Sequence, residues 1–402
     1  MGWFRLQVSL KTIFERYTTS KKIFKNKKAI TTSYKPDNLP HREKEINTIA
    51  SILAPSLRGE RPSNIFIYGK PGTGKTAVIS FVAKKLEESS DDGKIKIIYV
   101  NCKMRKVADT EYRLVAHLAR SCGENVPITG LPTEHVYNIF FKTIDDKEQI
   151  LIFILDEIDV LFEKIGDEFL YNLIRVNENL KKSQISLIGI SNNLSFMNDI
   201  DPRVKSSLSE EEIIFKPYNA TELQNILKDR CKIVFHEGVI SEGVIEKCAA
   251  LAAQEHGDAR RALDLLRVAA EIAERVGSEK VEEEHVDMAE AKIDKDRILE
   301  AVETQPRQSQ AVLWSIIKLN GKEVYTGDIY DIYTKICAEN GLKPLTQRRV
   351  SDLISELDLL GIINAKVISK GRYGRTRRVS LNLDSCLLEK IKDVLTTKYY
   401  FQ

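Results

Sequence analysis

Residues 65–76 read IFIYGKPGTGKT, and this stretch decides the fold. Its apolar start predicts a short buried strand, and the residues after Gly74 predict a helix. Between them, residues 69–76 match the pattern G-x-x-x-x-G-K-[ST] without a gap. Such a loop turns backbone N–H groups and the positive end of a helix toward a phosphate group. The stretch therefore predicts a nucleotide-binding loop rather than a chance glycine-rich turn.

The residues of this loop have distinct predicted roles. We expect Lys75 to reach the β- and γ-phosphates of ATP, and the hydroxyl of Thr76 to bind Mg²⁺. The predicted contacts with ATP or ADP come from Gly69, Pro71, Gly72, Thr73, Gly74, Lys75, Thr76 and Ala77.

A second motif follows further along the chain, where residues 150–157 read ILIFILDE. An apolar strand that ends in two carboxylates can place both of them beside the phosphates. Asp156 is predicted to hold Mg²⁺, directly or through water, and Glu157 to polarise the attacking water. The pattern is common by itself, but behind a phosphate-binding loop it is typical of an ATP-hydrolysing site.

The remaining pattern predicts an α/β fold with helical and winged-helix additions. Strands that are apolar throughout and alternate with helices indicate a parallel sheet covered on both faces. Helices then follow one another without strands, as in a helical lid. The last hundred residues predict three helices and a hairpin, which together make a winged helix. The predicted divisions are a basic arm at 1–40, a nucleotide-binding subdomain at 41–217, a lid at 218–303 and a winged-helix domain at 304–402.

Composition narrows the class of protein. The chain has 402 residues, 43% of them hydrophobic, which is enough for several packed cores. Its six cysteines lack metal-ligand spacing and indicate reduced thiols. No apolar run reaches the roughly 18 residues of a membrane helix, and the start of the chain lacks a signal-peptide core. We therefore expect a soluble cytoplasmic protein without a membrane partner.

Charge is distributed unevenly. Residues 1–40 carry a net charge of +7 and residues 301–402 a net charge of +5, although the whole chain is only +3. Basic ends that flank an acidic middle suggest contact with a polyanion, although solvated basic tails would give the same count. The arm is left open between a DNA contact and a disordered tail.

The winged-helix region carries the candidate DNA contacts. Polar residues open its third helix, and two glycines among arginines form the tip of its hairpin. Arginine can hold phosphates in a bidentate manner or enter a narrow minor groove. A solvated basic turn and a winged helix that contacts only protein remain the alternatives. The predicted DNA-binding residues are Arg348, Arg349, Lys370, Arg372, Tyr373, Arg375 and Arg377.

The order of motifs resembles one family of AAA+ ATPases. The segments that carry the resemblance are residues 34–43 (YKPDNLPHRE), 69–76, 155–159 (LDEID), 189–193, 201–208 and 257–266, with the winged helix. They resemble the archaeal origin-recognition initiators, which are relatives of the largest subunit of the eukaryotic origin recognition complex and of the helicase-loading cell-division-cycle protein.

The resemblance implies further site residues. Asn192 would be the sensor near the γ-phosphate, with Asn193 as the alternative, and Arg260 would touch the γ-phosphate from the lid. Arg203 would act as an arginine finger toward a neighbouring subunit, unless it is a surface residue. The backbone just before Arg42 would lie near the adenine.

The resemblance also implies a function. It predicts binding of double-stranded DNA at replication origins, recruitment of the replicative helicase, and other initiator paralogues on the same DNA. Hydrolysis of ATP to ADP and phosphate would be a slow switch, and the protein would be associated with the nucleoid. Two other classes stay open: a helicase or clamp loader acting on a protein ring, and an oligomerising signalling ATPase.

Overall fold

The computed structural model describes residues 22–31, 34, 36–90, 93–104, 107–166, 168–193, 200–208, 210–319, 324–369 and 375–399. It divides into two compact units, Met1–Val286 and Asp287–Gln402. The division falls inside one helix, Glu283–Thr304. Later residues of that helix, such as Ile298 and Val302, pack on the core of the second unit. The sequence predicted the start of the winged-helix domain at residue 304, the last residue of this helix.

The first unit is built on a parallel sheet of five strands. They are β1 (Ile65–Gly69), β2 (Ile95–Asn101), β3 (Ile150–Asp156), β4 (Gln184–Ser191) and β5 (Glu211–Phe215). Their order across the sheet is β2-β3-β4-β1-β5, and every neighbouring pair is parallel. All seven residues of β3 are buried, because this strand has neighbours on both sides and helices on both faces. The predicted α/β fold is confirmed.

Helices cover both faces of the sheet. They are α1 (Glu43–Leu53), α2 (Lys75–Ser89), α3 (Glu111–Cys122), α4 (Thr133–Ile144), α5 (Ile158–Ile165), α6 (Glu168–Arg175) and α7 (Pro202–Leu208). On one face, Ile49 of α1 and Val78 of α2 share a core with Ile152. On the other, Phe140 of α4 packs with Phe153, their ring centroids 6.0 Å apart. The sequence did not predict α5 and α6, since eight residues show little more than two helical turns.

The lid consists of α8 (Ala220–Val234), α9 (Val244–Gln254), α10 (Ala259–Val276) and the start of α11 (Glu283–Thr304). Polar caps set where these helices begin. The side chains of Asn219 and Glu222 form a reciprocal capping box at the start of α8. Asp258 caps α10 by accepting from two backbone N–H groups.

Residues 22–31 of the basic arm pack on the lid. The backbone N–H of Lys25 donates to Val234 O at 2.8 Å, and the rings of Phe24 and Phe235 lie 5.2 Å apart. The side chain of Arg230 donates to a carbonyl of the arm at 2.7 Å. The fully buried apolar residues of this segment are Ile23, Ala29 and Ile30. This part of the arm is therefore a structural layer of the lid, which its charge did not predict.

The second unit is a winged helix. Its elements after α11 are α12 (Arg307–Leu319), β6 (Val324–Tyr325), α13 (Thr326–Glu339), α14 (Gln347–Leu359), β7 (Ile363–Ser369), β8 (Arg375–Leu381) and α15 (Ser385–Tyr399). The strands form an antiparallel sheet in the order β6-β8-β7. The predicted three helices and hairpin are confirmed. The sequence missed β6, which has two residues, and α15, which buries Leu387, Ile391 and Leu395.

Three further features concern the part of the chain that the structure describes. No helix in the ranges given above has the length and apolar composition to cross a membrane. Within those same ranges, histidine, cysteine and acidic side chains form no cluster suited to a metal ion. All six cysteines are free thiols.

The packing of the arm makes a prediction about stability. Replacing Ile30 with alanine removes a fully buried side chain and leaves a cavity, so we expect the free energy of unfolding to fall by about 2–5 kcal/mol. Urea unfolding of the whole chain measures the change. Lys28→Ala, at an exposed position of the same segment, should leave stability nearly unchanged. Equal unfolding midpoints for Ile30→Ala and the wild type would contradict the docked arm.

Candidate functional site

The loop between β1 and α2 forms a compact cradle. Lys75 is 5% exposed, and its Nζ donates to Gly69 O at 2.6 Å and to Lys70 O at 2.8 Å. Gly72 and Gly74 have φ angles of 71° and 91°, in the left-handed region that L side chains rarely adopt. The loop therefore curls around its own lysine at the start of α2, as the motif predicts.

The lid approaches this loop so closely that a side chain would not fit between them. A Cβ atom added at Gly72 would lie 1.6 Å from Asp258 Oδ1, and one at Gly74 would lie 2.8 Å from the hydroxyl of Tyr218. The backbone N–H of Ala259, in the first turn of α10, donates to Gly72 O at 3.2 Å. The loop and the lid thus share a direct contact through the cap of one helix.

The two predicted carboxylates lie at the end of β3. Asp156 Oδ2 accepts from Thr76 Oγ1 at 2.9 Å and from the hydroxyl of Tyr99 at 2.6 Å. Its Oδ1 accepts from the backbone N–H of Glu157 at 3.0 Å. Glu157 has a φ of 57°, and its buried Oε2 has no hydrogen-bond partner among the described residues. A buried carboxylate oxygen without a donor is suited to hold a water molecule.

Asn192 follows β4 at the same edge of the sheet. In the register of β4, Ile190 lies beside Asp156 and Ser191 beside Tyr68. The next residue, Asn192, thus stands between the loop and the carboxylates, where a sensor is predicted. The backbone turns back at Asn193, where the N–H donates to Ser191 Oγ at 2.9 Å.

The charge of Arg260 acts on the ammonium group of Lys75. The pKa of Lys75 is lowered to about 8, chiefly by burial and also by the charge of Arg260, while the charge of Asp156 opposes the shift. Arg260 is the second residue of α10, and its N–H donates to Asp258 Oδ1 at 2.7 Å. The lid therefore brings a second positive charge to the lysine of the loop.

Arg42 lies beside the phosphate-binding loop, and its side chain is used within the protein. Its side chain is buried, and Nε donates to Thr73 O and to the hydroxyl of Tyr218, both at 3.0 Å. Its Nη2 donates to Lys216 O at 2.6 Å. The residue before it, His41, has a φ of 64°. The side chain thus ties the loop to the segment that leads into the lid, and the predicted adenine contact concerns only the neighbouring backbone.

Arg203 points outward. Its side chain is 72% exposed, and its guanidinium donates to both oxygens of Asp201, with Nη2 at 3.0 Å from Oδ2. It also lies 5.4 Å from the centre of the Tyr171 ring. An exposed, held arginine suits a contact with another molecule more than a contact within its own site.

The donor set fits a nucleotide with Mg²⁺. A hydroxyl and a carboxylate, Thr76 and Asp156, are the hard oxygen ligands that Mg²⁺ prefers. Lys75 and Arg260 supply positive charge for phosphates, and the loop supplies backbone N–H groups. Sequence reasoning missed Tyr99 and Tyr218. Tyr99 becomes visible only when β2 is known to lie beside β3, and Tyr218 only from the fold of the loop.

In the winged helix, the predicted DNA contacts with described side chains are either exposed without an ion pair or already engaged within the protein. Arg348 is exposed at the start of α14, and no ion pair of its side chain occurs among the described residues. Arg349 Nη1 lies 3.3 Å from Glu356 and 3.9 Å from Asp352, so acids on the same helix partly neutralise it. Arg377 donates to Ser351 O at 3.2 Å and to Ser355 Oγ, which holds the hairpin against α14.

The tip of the hairpin lies outside the described residues. It includes the predicted contacts Lys370, Arg372 and Tyr373, and the side chain of Arg375 is likewise not described. The structure describes the two strands that lead to the tip.

These features define a class of protein, an AAA+ ATPase fold joined to a winged helix. Three family models match in the same order: ATPase family associated with various cellular activities at residues 65–217, Cdc6 AAA+ ATPase-type lid domain at 224–291, and CDC6 C-terminal winged helix domain at 300–390. ORC1-type DNA replication protein 1 of Methanosarcina mazei is 53% identical over 398 residues, which cover 97% of this chain and 94% of that protein. The chain belongs to the family of ORC1-type DNA replication proteins.

Other relatives agree. The ORC1-type DNA replication protein of Pyrococcus furiosus is 51% identical, with 98% of this chain and 95% of that protein covered. The solved structure of the Aeropyrum pernix ORC1 protein in complex with DNA is 45% identical, with a TM-score of 0.81, covering 94% of this chain and 98% of that chain. Cdc6p from Pyrobaculum aerophilum, at 21% identity and a TM-score of 0.61 over 95% of this chain and 100% of that one, shares the fold.

The lowered pKa of Lys75 predicts a pH dependence of ATP binding. Phosphates favour the charged lysine, so affinity is full below the pKa of about 8 and falls as pH rises through that value. We expect roughly a tenfold loss between about pH 8 and pH 9.5, measured by calorimetry. Lys75→Met should bind ATP weakly, and its affinity should not change with pH over this range. A wild-type affinity that stays constant to pH 9.5 would contradict the assignment of Lys75.

Proposed function

We propose that this protein is an ATP-controlled replication initiator that binds double-stranded origin DNA through its winged helix. The observation that carries the proposal is the 45% identity, over 94% of the chain, to the Aeropyrum pernix protein whose structure was solved with DNA. The exposed Arg348 at the start of α14 supports the winged helix as the DNA-binding surface of this chain. Phosphate contacts would supply most of the affinity, and a few base contacts the sequence preference.

The nucleotide would lie between the loop and the lid. Lys75 and Arg260 would bind the phosphates, Thr76 and Asp156 would hold Mg²⁺, and Asn192 would sense the γ-phosphate. Bound Mg²⁺ supplies positive charge that offsets the charge developing on the phosphates. Because Asp258 and Ala259 already contact Gly72, a change in the loop would be transmitted to the lid. Arg203 would complete the site of a neighbouring subunit.

Hydrolysis would depend on Glu157 and would serve as a slow switch. Its buried Oε2, which has no hydrogen-bond partner within the described part of the chain, is suited to orient the attacking water. We expect Glu157→Gln to lower the hydrolysis rate about 10²- to 10⁴-fold with ATP affinity nearly unchanged, because an amide cannot accept the proton. Phosphate release and calorimetry measure the two quantities. Glu163→Gln, which removes the same charge at an exposed position of α5, is the control. Undiminished hydrolysis in Glu157→Gln would exclude this role.

The two neighbouring arginines of α14 give a matched test of DNA binding. If Arg348 contacts a base, we expect Arg348→Ala to weaken binding to origin DNA by about 1–3 kcal/mol. If it contacts a phosphate, we expect the salt slope, which is the slope of log binding constant against log salt concentration, to decrease in magnitude by about 0.9. Arg349→Ala should have a smaller effect, since Glu356 and Asp352 already offset its charge. Fluorescence anisotropy at several salt concentrations measures both. Unchanged affinity and salt slope in Arg348→Ala would remove this helix from the site.

A nuclease footprint on candidate origins of the source genome, with ATP and with ADP, tests the function as a whole. A discrete protected site is expected for an initiator, which would then recruit the replicative helicase together with other initiator paralogues on the same DNA. Diffuse or absent protection would instead favour a loader that acts on a protein ring.

A further inference from the structure

Tyr99 lies at the edge of the sheet next to the predicted magnesium ligands. It belongs to β2, the edge strand beside β3, in which Asn101 stands opposite Asp156 and Tyr99 opposite Ile154. The Tyr99 side chain therefore starts two residues before the end of β2, on the face that also carries Asp156. Its hydroxyl donates to Asp156 Oδ2 at 2.6 Å, while 43% of the residue stays exposed.

This bond completes a set of three donors that fixes the carboxylate of Asp156. Oδ1 accepts from the backbone N–H of Glu157 at 3.0 Å, and Oδ2 accepts from Thr76 at 2.9 Å as well as from Tyr99. The backbone N–H of Glu157, the next residue in the chain, restrains one oxygen. The hydroxyl of Thr76, in α2, restrains the other. Tyr99 is the donor that approaches from the adjacent strand, so it resists rotation of the carboxylate away from β2.

The same geometry orients the Thr76 hydroxyl. Because its proton is directed at Asp156, the lone pairs of Thr76 Oγ1 remain available for a cation. A carboxylate that turned away would release this hydroxyl to rotate. The position of both ligands thus depends on Asp156 keeping its orientation.

The environment of Tyr99 argues against a purely packing role. It stands on an edge strand with much of its surface in solvent, whereas the interior of this face is filled by isoleucines such as Ile152 and Ile154. A half-exposed ring contributes little to the core, whereas its hydroxyl contacts Asp156 directly.

We propose that Tyr99 is a positioning residue for the Mg²⁺ site, a role that rests on the proposed function of Thr76 and Asp156 in binding the metal. Tyr99 acts through the carboxylate and does not touch the nucleotide phosphates. Residues that orient metal ligands commonly matter about 10- to 100-fold in metal affinity. The hydroxyl of Tyr99 is therefore a determinant of how tightly the ATP-loaded protein holds Mg²⁺.

The test compares Tyr99→Phe with the wild type in the full-length chain, without DNA. ATP affinity is measured by calorimetry in EDTA and in Mg²⁺, and the Mg²⁺ concentration for half-maximal effect is titrated at fixed ATP. We expect unchanged affinity in EDTA and a half-maximal Mg²⁺ concentration raised about tenfold. Since the ring is kept, the melting temperature should stay close to that of the wild type.

Tyr137→Phe is the matched control. Tyr137 also donates its hydroxyl to a carboxylate of the same unit, Glu111 Oε1 at 2.5 Å, but between α3 and α4. Its loss should leave the Mg²⁺ titration unchanged. An unshifted titration in Tyr99→Phe, or equal shifts in both variants, would overturn the positioning role alone. A wild type that binds ATP equally in EDTA and Mg²⁺ would overturn the metal assignment of Thr76 and Asp156 as well.

Discussion

The buried guanidinium of Arg42 is the interaction on which the rest of the site depends. Only 4% of this residue is exposed, and a charge so far from water is tolerated only when its donors are matched. Its charge is paired with Glu45 of α1, and its other acceptors come from the phosphate-binding loop and the segment before the lid, at Thr73, Lys216 and Tyr218. These parts are more than a hundred residues apart in sequence, yet one side chain sets their distance. The conformation of the loop therefore depends on the conformation of the segment that leads into the lid.

Much of this arrangement could be predicted from the sequence. The loop around Lys75 and the strand that ends at Asp156 are local features, in which the pattern of residues and the backbone geometry determine each other. The winged helix was predictable for the same reason, since its helices are long enough to show a period. The short helices α5 and α6 were not, because eight residues carry too few apolar positions to separate a helix from a loop.

The features that the sequence did not give depend on partners distant in the chain. Tyr99 reaches Asp156 only because β2 pairs with β3, and strand order is not written in local pattern. The lysines of the arm indicate either a DNA contact or a disordered tail. Ile23 and Ile30, spaced irregularly among the lysines, determine its position. Among the arginines of the winged helix, charge alone could not separate Arg348 from Arg377. Arg377 holds the hairpin to α14, and only the folded structure shows which arginines are already engaged within the protein.

The docking of the arm has a mechanical consequence. The lid contacts the nucleotide-binding subdomain through the residues after β5 and through the N–H of Ala259, which donates to Gly72 O. Residues 22–31 are docked on the lid at Phe24 and Phe235, so any movement of the lid carries them with it. Separating the two would expose Ile23 and Ile30 to water, which costs free energy in proportion to the apolar area uncovered.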